Sequence, residues 1–177
     1  MKHTTIQIKT IIKLLNKRPE LSIILDPVLI SGNDETLLDE DAINVMRSEL
    51  VPLATILTPN LTELSHLAPG LDEQSAVSSL DCPWILVTTA DNSEDDIEHR
   101  LYHQSELVDQ FLYKKLPGKY HGSGCTLSSA ISALIASDMP VKIACKRALD
   151  YTYQTLLNAK KLGKMQYHPN RTMPKTI

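Results

Sequence analysis

The stretch His121-Gly122-Ser123-Gly124-Cys125-Thr126 holds the residue types that phosphate chemistry asks for. Two glycines around a serine let a backbone close on a phosphate oxygen with no Cβ in the way. Leu, Ser, Ala and Ile then recur at helical spacing through Ala136, so the loop opens into the first turn of an apolar helix. That first turn carries free N–H groups and the positive end of the helix dipole, which together attract anions. Gly122, Ser123 and Gly124 are therefore the candidate phosphate cradle. Cys125 sits at its mouth, where a helix N-terminus favours thiolate, and is the candidate general base. A plain tight turn before a buried helix explains the same glycines equally well on local grounds. Neither the GxxxxGK[ST] loop nor the third small residue of the dinucleotide fingerprint is present.

Phosphoryl transfer also needs a cation to neutralise developing charge and a base for the acceptor's proton. Asp26 and Glu63 are the carboxylates placed to hold Mg2+, which prefers oxygen ligands. Asn60 and Thr88 are candidates for the nucleotide side. Each has a structural alternative. Asp26 belongs to an Asp-Pro turn. Asn60-x-x-Glu63 matches a helix capping box, which local evidence favours. His99 and His103 are four apart in a strand-like segment, a weak pattern for a metal. His121 is equally a phosphate contact or a plain loop residue. No Ser-His-Asp or Cys-His-Asn arrangement is legible from spacing.

The elements that must position these groups follow from periodicity. Ile8, Ile11, Ile12 and Leu15 predict an amphipathic helix over 7–17. Leu21–Leu25 reads as a buried parallel strand ended by Asp26-Pro27. Asp39 caps a helix whose inner face is Ile43, Met46 and Leu50. Strand 54–57 leads into Thr58-Pro59-Asn60 and a short helix to Ala68. A capped helix from Asp72 to Leu80 precedes strand 84–88. This alternation with short links is the signature of a parallel α/β sheet. Residues 91–96 read as an acidic surface loop, and 99–102 and 107–113 as two short strands. A last helix spans about 140–162, followed by an irregular tail over 165–177. Ligands bind off the carboxyl ends of parallel strands. Asp26, Asn60, Thr88 and the glycine loop all fall at such ends, so one shared site is expected.

The bulk properties are permissive. At 177 residues the length suits one domain with a sizeable core. The hydrophobic share of 42% and charged share of 22% are those of an ordinary globular protein. A net charge of −3 and only 5% aromatics argue against nucleic-acid binding. No apolar run is long enough for a membrane span, and residues 1–10 are too polar for a signal peptide. Cys82, Cys125 and Cys145 are odd in number and widely spaced, so neither a disulfide framework nor a zinc site is expected. A reducing cytoplasm is the simplest compartment. Cys145, inside an apolar helix, is expected to be inert.

Leu25-Asp26-Pro27-Val28-Leu29, Leu57-Thr58-Pro59-Asn60-Leu61-Thr62-Glu63 and His121-Gly122-Ser123-Gly124-Cys125-Thr126-Leu127-Ser128 occur in the order and spacing of a known family. From about Ile11 to the tail, the chain resembles the hydroxymethylpyrimidine/phosphomethylpyrimidine kinases of thiamine biosynthesis, in the ribokinase-like superfamily. The last block is the most specific, because many superfamily relatives carry aspartate where this chain has Cys125. The resemblance implies a three-layer α/β/α domain with a mostly parallel sheet, and ATP and Mg2+ as cofactors. It implies an anion hole from Gly122 to Cys125, with Cys125 activating the substrate hydroxymethyl group. It also implies Mg2+ held with the help of Asp26 and Glu63, and Asn60 beside the phosphates. The acceptor is then a small pyrimidine alcohol or its phosphate.

Two departures matter. The family often has a Lys-Gly-Gly-like stretch where this chain has Thr88-Thr89-Ala90. Family members also begin with about a third more of the domain, which carries the first strands and most pyrimidine-binding residues. A truncated copy, or one completed by another chain, is expected, with an apolar sheet edge that promotes association. Pyridoxal-type kinases share the first two blocks, and some share the cysteine. Three functions follow: a pyrimidine kinase, a pyridoxal-type kinase, or a nucleotide-binding remnant or partner subunit without turnover.

Overall fold

Branched side chains and a terminating Asp-Pro set the first strand, β1, Ile24–Leu25. It pairs in parallel with β2, Ile56–Leu57, in the register Ile24↔Ile56 and Leu25↔Leu57. β2 in turn pairs in parallel with β3, Trp84–Asp91, with Ile56 opposite Trp84 and Leu57 opposite Ile85. β1 and β2 are shorter than the runs expected to carry them, whereas β3 runs on past its apolar start at Trp84–Val87. In this computed structural model the described residues are 2–29, 37–91, 95–161 and 166–172, with backbone only at 2, 3, 90 and 91.

β4, Asp96–His103, and β5, Glu106–Lys114, complete a five-stranded sheet of order β1-β2-β3-β4-β5. The two-residue link Gln104-Ser105 has φ of 48° and 67°. A link that short joins antiparallel neighbours, and two successive left-handed residues make the turn whose twist matches the strands. The sheet is therefore mixed. The acidic loop expected over 91–96 is narrower, since β3 runs to Asp91 and β4 begins at Asp96; residues 92–94 lie outside the described set.

The described residues divide into two compact units, Met1–Ala90 with Glu98–Phe111, and Asp91–Ile97 with Leu112–Ile177. In the first, α1 (Lys2–Leu15) buries Ile8 and Ile12 and leaves Ile11 47% exposed. The expected inner face is thus corrected. At 100° per residue Ile11 falls on the margin of a stripe centred on Ile8, Ile12 and Leu15. Asp39 caps α2 (Glu40–Val45) by accepting from the Ala42 N–H at 2.9 Å. The helix continues as a wider turn over Met46–Leu50 and a tighter one over Val51–Leu53, where Pro52 ends it. Met46 and Leu50 are buried as expected, and Ile43 packs at the core's edge. α3 (Leu61–Leu67) and α4 (Glu73–Ser79) follow, the latter capped by Asp72 accepting from Ser75 N–H at 2.8 Å. Leu57, Leu64, Leu67, Val77, Ile85 and Val87 form the centre of this core. Each such side chain contributes about 1.5–3 kcal/mol by leaving water.

β1 lies at one end of the sheet order, and Ile6, Leu14 and Leu21 of the same unit are exposed beside Ile11. In the second unit, α5 (Ser123–Ile135) packs on α6 (Val141–Leu157). Ile131, Ala144, Cys145, Ala148 and Leu149 are buried there. α6 ends earlier than expected; Asn158 and Ala159 only continue it as a turn, and 162–165 lie outside the described residues.

Candidate active site

The first unit holds four of the candidate residues: Asp26 just past β1, Asn60 and Glu63 past β2, and Thr88 within β3 instead of at the strand end expected from sequence. The parallel ladder resumes past β2 as the bridge Asn60↔Thr88, and Thr88 N–H donates to the Pro59 carbonyl at 2.8 Å. Asn60 caps α3: its Oδ1 accepts from Glu63 N–H at 2.8 Å, and Glu63 Oε2 accepts from Asn60 N–H at 2.9 Å. The capping box that local evidence favoured is formed. It also fixes the Glu63 carboxylate, which is only 8% exposed.

Burial holds Glu63 above the ordinary carboxylate range, and the negative charge of Asp26 pushes the same way. Hydrogen bonds from the backbones of Asn60 and Leu29 oppose the shift. Two carboxylates in mutual repulsion, partly desolvated and built only of oxygen donors, fit a hard divalent cation such as Mg2+. Among the described residues no group of three or more His, Cys, Asp or Glu is gathered, so protein ligation would be sparse, as Mg2+ tolerates.

A raised folded-state value means stability that is present below the unfolded value near 4.5 and is lost as pH rises. Glu63→Gln keeps an acceptor for the Asn60 N–H and removes the charge. It is expected to leave the melting temperature at pH 7 unchanged or raised, whereas Glu63→Ala lowers stability by about 1 kcal/mol. Thermal denaturation of the two variants side by side checks this, and equal losses would count against the capping box.

Thr89 carries a feature that residue spacing did not signal. Its φ is 54°, a left-handed conformation that costs a β-branched residue about 1–2 kcal/mol. The strain is held by two bonds: Thr89 N–H donates to His99 Nδ1 at 3.1 Å, and its hydroxyl donates to the Thr88 carbonyl at 2.7 Å. Thr89→Gly is expected to stabilise the chain by about 1 kcal/mol, read as a rise in the denaturation midpoint. The His99/His103 pair is no metal site here. His103 stacks on Trp84 at 4.0 Å between centroids, and His99 Nδ1 is occupied by Thr89.

The second unit carries the glycine loop. Gly122 is the N-cap of α5 with φ of 86°, where an added Cβ would meet Arg171 Nη2 at 3.1 Å. Ser123, Gly124 and Cys125 form the first turn of α5, and the Cys125 side chain is exposed. Cys82 and Cys145 are buried, and withdrawal from water pushes their thiols up to about 11 and about 12. Only Cys125 is therefore available for proton transfer in solvent.

Residues 166–172 are laid along this loop, although the sequence offered no periodicity there. Tyr167 N–H donates to the Lys119 carbonyl at 2.9 Å, and His121 N–H donates to the Tyr167 carbonyl at 3.0 Å. Gly118, φ 103°, lies so close to the Tyr167 ring that a Cβ would reach it at 3.1 Å. Arg171 Nε donates to Thr126 Oγ1 at 2.9 Å and Nη2 to the Gly122 carbonyl at 3.2 Å. Arg171 was not among the residues expected at the site. A lone arginine past a proline in an aperiodic tail gives no sequence signal.

Each cluster is complete within its own unit: Asp26, Asn60, Glu63 and Thr88 in one, Gly122, Ser123, Gly124 and Cys125 in the other. One open cleft is lined by Ser78–Pro83 with Gln104 and Ser105, and another lies between α2 and α3. The sequence model of the family described as phosphomethylpyrimidine kinase matches residues 1–170. The chain belongs to that family. It is 33% identical over 159 residues to the hydroxymethylpyrimidine/phosphomethylpyrimidine kinase of Mycobacterium tuberculosis, covering 84% of this chain and 58% of the relative. Over 151 residues it is 28% identical to the pyridoxine kinase of Bacillus subtilis, covering 78% and 55%. The solved ADP complex of Bacillus subtilis pyridoxal kinase superposes with a TM-score of 0.79 at 24% identity, covering 97% of this chain and 68% of that one. The fold is thus that of the ribokinase-like kinases, as the family blocks implied. The chain spans under two thirds of the length of these curated relatives. Among the described residues, no helix is long and apolar enough to cross a membrane.

Proposed function

We propose that the chain carries the phosphate-handling part of an ATP-dependent kinase acting on hydroxymethylpyrimidine, its monophosphate, or both, in the cytoplasm. The observation that carries this reading is the mouth of α5, where a left-handed glycine cap opens a long helix and leaves Cys125 exposed in its first turn. In this reading the first-turn N–H groups of α5 take the transferred phosphoryl oxygens. Cys125 Sγ takes the proton of the acceptor's hydroxymethyl group as its oxygen attacks. Asp26 and Glu63 would hold Mg2+, with Asn60 and Thr88 on the nucleotide side. Bound there, the cation would neutralise phosphate charge.

A pyridoxal-type substrate is the second reading, supported by the likeness to Bacillus subtilis pyridoxine and pyridoxal kinases. A third reading is a nucleotide-binding partner subunit without turnover of its own. The exposed apolar residues of α1 and the β1 edge give that reading a surface for association. The test is ADP release with hydroxymethylpyrimidine, its phosphate and pyridoxal supplied separately. Release dependent on a pyrimidine supports the first reading, and release only with pyridoxal replaces it with the second. ATP binding without any release, restored by a separately expressed N-terminal fragment of a family member, favours the third.

A further inference from the structure

The Gly122 carbonyl is held from three directions. It accepts from Thr126 N–H at 3.1 Å, from the Thr126 hydroxyl at 2.6 Å and from Arg171 Nη2 at 3.2 Å. The Arg171 Nε–H donates to that same Thr126 hydroxyl, which closes a ring of donors and acceptors around one peptide. In a trans peptide the C=O and the following N–H point in opposite directions. Pinning the Gly122 carbonyl therefore aims the Ser123 N–H away from Arg171, out of the first turn of α5.

A guanidinium at a helix N-terminus is electrostatically misplaced unless an anion joins it, since it adds to the positive end of the dipole. Among the described residues Arg171 makes no ion pair. Carboxylates described in its own unit pair or lie elsewhere. Asp150 accepts from Tyr113 and Lys146, Asp96 pairs with Lys114, and Asp138 lies past the other end of α5. The tail is nevertheless anchored where it delivers this charge. Asn170 N–H donates to the Thr155 carbonyl at 2.9 Å, His168 and Lys160 pair through their backbones, and Tyr167 is hydrogen-bonded to the loop on both sides. Gly122, lacking a Cβ, is what lets the guanidinium come this close.

We propose that Arg171 is a positioning residue for the anion site at the mouth of α5: it fixes the Gly122–Ser123 peptide and adds a full positive charge to the positive end of the helix. The proposal rests on the kinase reading above. Lysine cannot replace it, because a single ammonium does not span the Thr126 hydroxyl and the Gly122 carbonyl as the planar fork does.

The experiment is calorimetric titration of the full chain with ATP and with inorganic tripolyphosphate at two ionic strengths. Arg171→Gln is expected to raise both dissociation constants roughly 10- to 100-fold and to flatten their salt dependence, because charge-assisted bonds are lost. Arg171→Lys should recover less than half of that loss on a logarithmic scale. Unchanged affinities and salt dependence in Arg171→Gln, with ATP bound by the wild type, overturn the role of Arg171 and leave the kinase reading standing. A lowered melting temperature with unchanged affinity assigns Arg171 to folding alone and overturns it equally. A wild-type chain that binds neither ATP nor tripolyphosphate overturns both readings.

Discussion

Replacing Cys125 by alanine is expected to lower pyrimidine-dependent ADP release by about 10²- to 10⁴-fold, the usual yield of a positioned general base. ATP affinity should change by less than about twofold, since the thiol acts on the acceptor's proton and not on the bound phosphates. The structure supplies two reasons to place the effect here. Cys125 is exposed in the first turn of α5, while Cys82 and Cys145 are buried and their thiols are held protonated by burial. Serine should not rescue, because its hydroxyl does not ionise near neutral pH. Steady-state kinetics with separate ATP titration make the comparison. An alanine variant that turns over at the wild-type rate would remove Cys125 from the chemistry. Loss of ATP binding together with turnover would instead make it part of the cradle.

Acid should destabilise the chain well before its carboxylates are fully protonated, and His99 is the cause. Its partly buried ring is pushed down from the ordinary 6.5 to about 4 by withdrawal from water, against the pull of neighbouring Glu98. The neutral ring is also the form that accepts from Thr89 N–H. A group whose folded value is depressed binds its proton first in the unfolded chain. The stability tied to neutral His99 is therefore complete above 6.5 and is lost as pH falls towards about 4. The full span corresponds to about 3 kcal/mol, reduced by the solvent that still reaches the ring. His99→Asn places an oxygen where Nδ1 accepts and does not titrate. Chemical denaturation from pH 7 to 4 should show a steep loss for wild type and a shallower one for the variant. Glu63 pulls the other way over part of this range, and its contribution cancels in the difference between the two proteins. Parallel profiles would show that His99 carries none of the slope.

Both predictions depend on features of different legibility. Local rules with a strong side-chain mechanism were readable. Asp39, Asp72 and the Asn60/Glu63 box were recognisable as caps because a short oxygen at the N-cap satisfies the same backbone donors in any context. The glycine-opened helix was readable for a similar reason, and it ends one residue before the expected Ala136. Strand extents were less so. Leu21–Leu25 is apolar but for Ser22, yet only Ile24 and Leu25 pair, because pairing needs a neighbour at the right height as well as a suitable side chain. Ile11 joined the helical stripe by spacing and fell outside it by burial, a margin that packing decides.

The amino-acid sequence alone determined the class of the fold, the order of its elements and the family, because periodicity, caps and the three motif blocks are local properties. Long-range contact alone decided the rest. Glu63 acquires its shifted protonation chiefly from burial in the folded chain, and further from Asp26, thirty-seven positions earlier. Thr89 is held in a left-handed conformation with the help of a histidine on the next strand. Arg171 reaches the glycine loop only because a tail without periodicity finds backbone partners there. Such groups take their character from neighbours distant in the chain, and no window of neighbouring residues contains them.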